Sequence, residues 1–154
     1  MWTDVTIAVK AMINHTAHNV EEAHLRTGDP PPPPIQPDYV KVCGGCGDTS
    51  LNGLSYGCAE GCCLRVAYSG NWTLGDSRSG RTGVIEGFKD TWHEISVAIH
   101  DGAVTATVDG AKLASIPGSC VPPAPIVFPG HGMVGLGCGA YHYCQYSSVK
   151  IEAL

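Results

Sequence analysis

Residues 91–116 read TWHEISVAIHDGAVTATVDGAKLASI. Ile95, Val97 and Ile99 alternate with polar or small residues, and Val104, Ala106 and Val108 do the same. Strand side chains project to opposite faces in turn, so this alternation gives one face to a core and the other to solvent. Asp101-Gly102 and Asp109-Gly110 stand between the runs. Such pairs tolerate the positive φ angles of a two-residue hairpin turn. The stretch predicts three strands in a meander, with no obvious catalytic group on it.

The same pattern extends through the chain. In residues 3–12, Val5, Ile7 and Val9 fall on one face and Thr6 and Ala8 on the other. Residues 62–68 form a further strand with Leu64 and Val66 on one face. The adjacent Cys62 and Cys63 must then point to opposite faces, so that one of them ties down the neighbouring chain. Residues 71–74 continue into a short strand, and 78–87 read as a polar, glycine-bearing connection. Residues 133–138 and 146–153 supply two final strands, Val149 and Ile151 alternating in the second. Twenty glycines and eleven prolines punctuate the chain and favour short strands over long helices. About eight short strands with turn signals between them imply an all-β protein, an antiparallel β-sandwich. A length of 154 residues suits one domain, 1–154, interrupted by an irregular Pro/Gly/Cys-rich insertion at about 14–55. Within it, Pro30 to Pro34 hold a polyproline II conformation, read as a stiff surface loop rather than a ligand for a proline-recognising domain.

The net charge of −5, with nine Lys and Arg residues and no basic run, argues against nucleic acid as a partner. No stretch approaches about 18 consecutive apolar residues, so no membrane span is expected. Eight cysteines, Cys43, Cys46, Cys58, Cys62, Cys63, Cys120, Cys138 and Cys144, suggest disulfides and an oxidising compartment. The sequons Asn14-His15-Thr16 and Asn71-Trp72-Thr73 make Asn14 and Asn71 glycosylation candidates. Together they predict a secreted, extracellular or lumenal glycoprotein. The opening MWTDVTIAVK resembles an amphipathic strand rather than a signal peptide, and the chain is read as a piece of a longer precursor. Cys43, Cys46, Cys58, Cys62 and Cys63 could instead hold zinc, but a second C-x-x-C is lacking and disulfides fit better. Cys138 and Cys144 suit a bridge closing the loop before the last strand.

The order of features is more specific than any one of them. Trp2, Thr3 and Asp4 open a strand, Gly70, Asn71 and Trp72 close another, and Trp92 begins the meander with Gly102, Asp109 and Gly110 in its hairpins. Gly135 and Gly137, then Glu152 and Ala153, mark the last two strands. This order resembles the lectin-like, concanavalin A-like jelly roll at the C-terminus of galactocerebrosidases, glycoside hydrolase family 59. The resemblance implies a sandwich whose catalytic carboxylates sit on a separate barrel domain that nothing here matches. It also implies a strand ahead of the Trp-Thr-Asp strand, so that one sheet edge is left open to another segment or subunit. A structural calcium is the one cofactor it brings into view. This chain has Ser147 where the family carries an acid, which leaves Asp4 as the calcium candidate.

Glycoside hydrolysis needs two carboxyl groups facing one another across the scissile bond. Glu86, Asp90 and Glu94 are spaced by four, but the residues between them read as a turn, so no catalytic residue is assigned. His15, His18 and His24 read as solvated loop residues. Sugar binding calls for an aromatic platform beside hydrogen-bonding groups. Tyr141, His142 and Tyr143 form the best such cluster; Trp72 reads as flanking a glycan and Trp92 as core. The sequence thus predicts a non-catalytic domain that associates with glycans, or docks on other domains or subunits of an extracellular glycoprotein assembly. The alternative is a structural subunit of an extracellular fibre or coat, assembled by strand exchange.

Overall fold

The computed structural model describes residues 4–14, 38–48, 56–58, 62–75, 80–117, 133–139 and 144–153, with the backbone alone at 45–48, 56–58 and 133. Among the described residues there are eleven strands and no helix long and apolar enough to cross a membrane. One sheet runs in the order β11 (Cys144–Ala153), β1 (Val5–Ile13), β7 (His93–His100), β8 (Ala103–Val108), β9 (Ala111–Pro117). The other runs β10 (Met133–Cys138), β2 (Tyr39–Asp48), β4 (Cys63–Ala67), β5 (Asn71–Leu74), β6 (Arg81–Val84), with β3 (Tyr56–Cys58) paired to the far part of β2. All ladders are antiparallel, and β1 packs across the sandwich on β2. The all-β sandwich expected from the alternation is the observed fold.

The meander forms as its sequence dictates. Asp101 and Gly102 have φ of 47° and 72°, Asp109 and Gly110 have φ of 51° and 76°. Two successive positive φ values match the right-handed strand twist and make each hairpin tight. Ile95, Val97, Val104, Ala106, Val108 and Ile116 enter the core from this side, with Val5, Ile7, Val9 and Ile13 of β1. Val40, Val42, Leu64, Val66, Trp72 and Leu74 meet them from the second sheet. Each such aliphatic side chain taken from water contributes about 1.5–3 kcal/mol before ordering costs. Gly44 lets the layers approach: a Cβ there would run into Ile99 Cδ1.

The structure differs from the sequence reading in several places. The segment read as an irregular insertion at about 14–55 contains the whole of β2, a ten-residue strand held between β10 and β4. The connection at 78–87 contains β6, an edge strand paired to β5. Trp92 is exposed, and the core position beside it belongs to His93, whose ring stacks on buried Phe88 at 4.5 Å between centroids. The Trp72 side chain lies in the core. The proline run and His15, His18 and His24 lie outside the described residues.

Candidate functional site

The solvent face of the second sheet carries a row of hydrogen-bonding side chains. Lys41 pairs with Arg65, Arg65 with Thr73, and Thr73 with Thr82, so the row crosses β2, β4, β5 and β6 at one level. Residues directly opposite on antiparallel strands face the same side of the sheet. The neighbours Val40, Val42, Leu64, Val66, Trp72 and Leu74 are buried, which turns all four row residues outward. Two cations opposite each other cost stability. Arg65 is steadied by Tyr39, with its guanidinium carbon 5.2 Å from the ring centroid. Cys43 and Cys63, two residues along from Lys41 and Arg65, are bridged across the strands with their Cα atoms 4.2 Å apart and border the row. Cys62, facing inward, is also disulfide-bonded, and among the described residues no cysteine is free. Thiolate coordination of zinc by Cys43, Cys62 and Cys63 is therefore excluded. The side chains of Cys46 and Cys58, and all of Cys120, lie outside the described residues.

Tyr141, His142 and Tyr143 lie outside the described residues, but the chain on either side of them is fixed near this row. Cys138 and Cys144 form the bridge expected from the sequence. The Gly139 N–H donates to Tyr39 O at 2.9 Å, and Cys144 Sγ lies 3.2 Å from the same oxygen. A Cβ on Gly139 would run into the Tyr39 ring, the ring that supports Arg65. Tyr146 ties β11 to β10 by donating its hydroxyl to Gly137 O at 2.6 Å. Burial pushes its phenol up to about 12, against a smaller opposing effect from the Lys41 backbone. Of the two sequon asparagines, Asn71 is exposed and Asn14 half-buried.

Two carboxylates at the meander's ends have structural tasks. Asp109 Oδ1 accepts the Glu94 N–H at 2.9 Å and Oδ2 sits 2.6 Å from His93 Nδ1. Burial raises the Asp109 carboxyl, but the His93 hydrogen bond, the Glu94 N–H and the attraction of His93 together hold it below its ordinary value. The folded value thus lies below the unfolded one, so the stabilisation is complete above about pH 5 and is lost as pH falls through the folded value. Urea titrations at stepped pH below 5 are expected to show acid destabilisation that is shallower in Asp109→Asn; identical slopes would disprove the assignment.

Asp4, the calcium candidate, accepts the Asp101 N–H through Oδ1 at 3.1 Å, and His100 Nδ1 is 3.4 Å from the same atom. His100 Nε2 lies 3.2 Å from Asp101 Oδ2, so Asp4, His100 and Asp101 gather at one turn. Calcium takes six to eight oxygen ligands, typically at about 2.3–2.6 Å. Among the described residues the group offers an imidazole and two carboxylates, one already engaged with the turn backbone, which is short of that set.

No protein-family model matches the chain, and no curated protein matches it. Among solved structures, the chain is similar to sheep galectin-11 in complex with glycerol, at 12% identity and a TM-score of 0.54. That match covers 99% of this chain and 92% of galectin-11. The likeness is one of fold, a galectin-like, jelly-roll β-sandwich. The narrower resemblance to galactocerebrosidase finds no support in these comparisons.

Proposed function

We propose that this is a non-catalytic carbohydrate-binding domain of a larger extracellular or lumenal glycoprotein, and that sugar binds on the outer face of the β10-β2-β4-β5-β6 sheet. The observation that carries the reading is the row Lys41, Arg65, Thr73 and Thr82, held in register on four consecutive strands. Sugar hydroxyls are recognised by several polar groups converging on one patch, and an adjacent ring covers the apolar face of a pyranose. Arg65 offers donors in a fixed fork, the two threonine hydroxyls donate or accept, and Tyr39 supplies a nearby ring. Tyr141, His142 and Tyr143 are proposed as further contacts, because the chain flanking them is fastened beside Tyr39. The lectin-like fold and the disulfides support the reading, since small domains keep disulfides mainly in oxidising compartments. Among the described residues no pair of carboxylates flanks the row, which is why the proposal assigns binding and not hydrolysis. It invokes no cofactor.

The fibre or coat reading has the exposed edge of β11 on its side. Linear assembly, however, requires a contact that does not close on itself.

A glycan array including neutral, sialylated and sulfated sugars, followed by calorimetry on the best ligand, tests the proposal. Arg65→Ala is expected to weaken binding by about 10- to 100-fold, the loss of hydrogen bonds from a charged donor, while the thermal midpoint changes little. Unchanged affinity in Arg65→Ala and in a Thr73→Ala/Thr82→Ala pair would remove this face from consideration, and an array with no hits would remove sugar binding itself.

A further inference from the structure

The edge of the first sheet formed by β11 carries an exposed apolar row. Val149 and Ile151 are 50% and 45% exposed, although they are paired with the core residues Val9 and Ile7 of β1. They therefore project toward the second sheet, on the side that should be covered. Leu136 on β10, the edge strand of that second sheet, is likewise 38% exposed. Tyr146 and the Cys138–Cys144 bridge close one end of this open flank. Among the described residues no strand lies beyond β11. A ten-residue edge without proline presents backbone N–H and C=O groups that another strand can pair with.

On the opposite face of β11, Lys150 Nζ and Glu152 Oε1 form an ion pair at 2.7 Å. These two charges make the edge complementary to itself. We propose that β11 pairs antiparallel with β11 of a second copy of this chain, about a two-fold axis at Ile151. That register sets Lys150 against Glu152 of the second copy and Glu152 against its Lys150. Ile151 then meets its own equivalent, and Val149 meets Ala153. A shift to an axis at Lys150 would oppose two lysines, and a shift to Glu152 would oppose two glutamates. Like charges directly across a ladder destabilise it. Keeping the apolar side chains on one face forbids the odd-numbered shifts as well. Of the registers that keep the apolar side chains on one face, this one alone sets both charges against opposite charges, and a two-fold contact of this kind closes at the dimer. The inference does not rest on the sugar-binding reading.

The test is sedimentation equilibrium over a concentration series of the full chain, with circular dichroism to confirm folding of each variant. The wild type is expected to dimerise reversibly, and less tightly as salt rises. Lys150→Glu and Glu152→Lys should each weaken the dimer about tenfold, whereas the double exchange, which restores opposite charges, should recover it to within about threefold. Three results would overturn the proposal: a chain monomeric throughout, single variants that dimerise like the wild type, or a double exchange without rescue. A monomer whose β11 amides resist hydrogen exchange would assign the edge to another segment of the same chain, and would also overturn it.

Discussion

Trp72→Ala is expected to lower the free energy of unfolding by about 3–5 kcal/mol, the largest single loss in this domain. Trp72 is 8% exposed and sits where β4, β5 and β6 run side by side. Its indole lies over Gly83: a Cβ at Gly83 would come within 2.7 Å of Cε2 and Cζ2. The glycine on β6 is thus the floor on which the indole rests. Domains of this size have about 5–15 kcal/mol in total, so the variant would be near the limit of folding at ambient temperature. Urea titration measures the loss directly, and a change under about 1 kcal/mol would contradict the packing described. Gly83→Ala should also destabilise, by about 1–3 kcal/mol, because the ring must move. In a Trp72→Ala background that penalty should largely vanish, so the two sites are strongly non-additive.

Removing the Cys43–Cys63 bridge by a double alanine substitution is expected to cost about 3 kcal/mol, from the unfolded-chain entropy of a loop with sequence separation 20. The Cys138–Cys144 bridge, with separation 6, should cost about 2 kcal/mol on the same basis. Both cysteines of the first bridge are buried at 1% exposure, and alanine avoids leaving a hydroxyl there. Guanidinium midpoints of the two double variants should rank in that order, and the reverse ranking would show that native contacts, not loop length, set the values.

The meander was readable because two local signals coincide in it. Ile95 and Val97 keep the period of two, and each Asp-Gly pair supplies both positive-φ positions. The same period carries a second signal. His93 is in phase with Ile95 and Val97, and Trp92 is in phase with the outward Glu94, so the buried partner of Phe88 is the histidine. In β2 the alternation of Val40, Lys41 and Val42 marks the first half as a strand, but Cys43, Gly44, Gly45 and Cys46 lack any apolar alternation, so the second half was not readable. Its ladder bonds to β10, β4 and β3 hold it extended, a case of tertiary context overriding local propensity. The row on the outer face could not be read at all. Lys41, Arg65, Thr73 and Thr82 become neighbours only through the register of three separate ladders. Tyr141, His142 and Tyr143 lie outside the described residues, and only the anchoring of the chain around them bears on their role.

The placement of the indoles bears on which optical assay suits this domain. Trp72 faces the interior and Trp92 stands at the meander's start in partial contact with water, so their emission should differ in wavelength. Neither ring is part of the outward row that contains Arg65. A ligand settling on that row would leave Trp72 and Trp92 in their existing surroundings, while Trp2 lies outside the described residues. Emission from the buried Trp72 is thus suited to following loss of the packed interior, whereas occupancy of the outer sheet is better read as heat or mass.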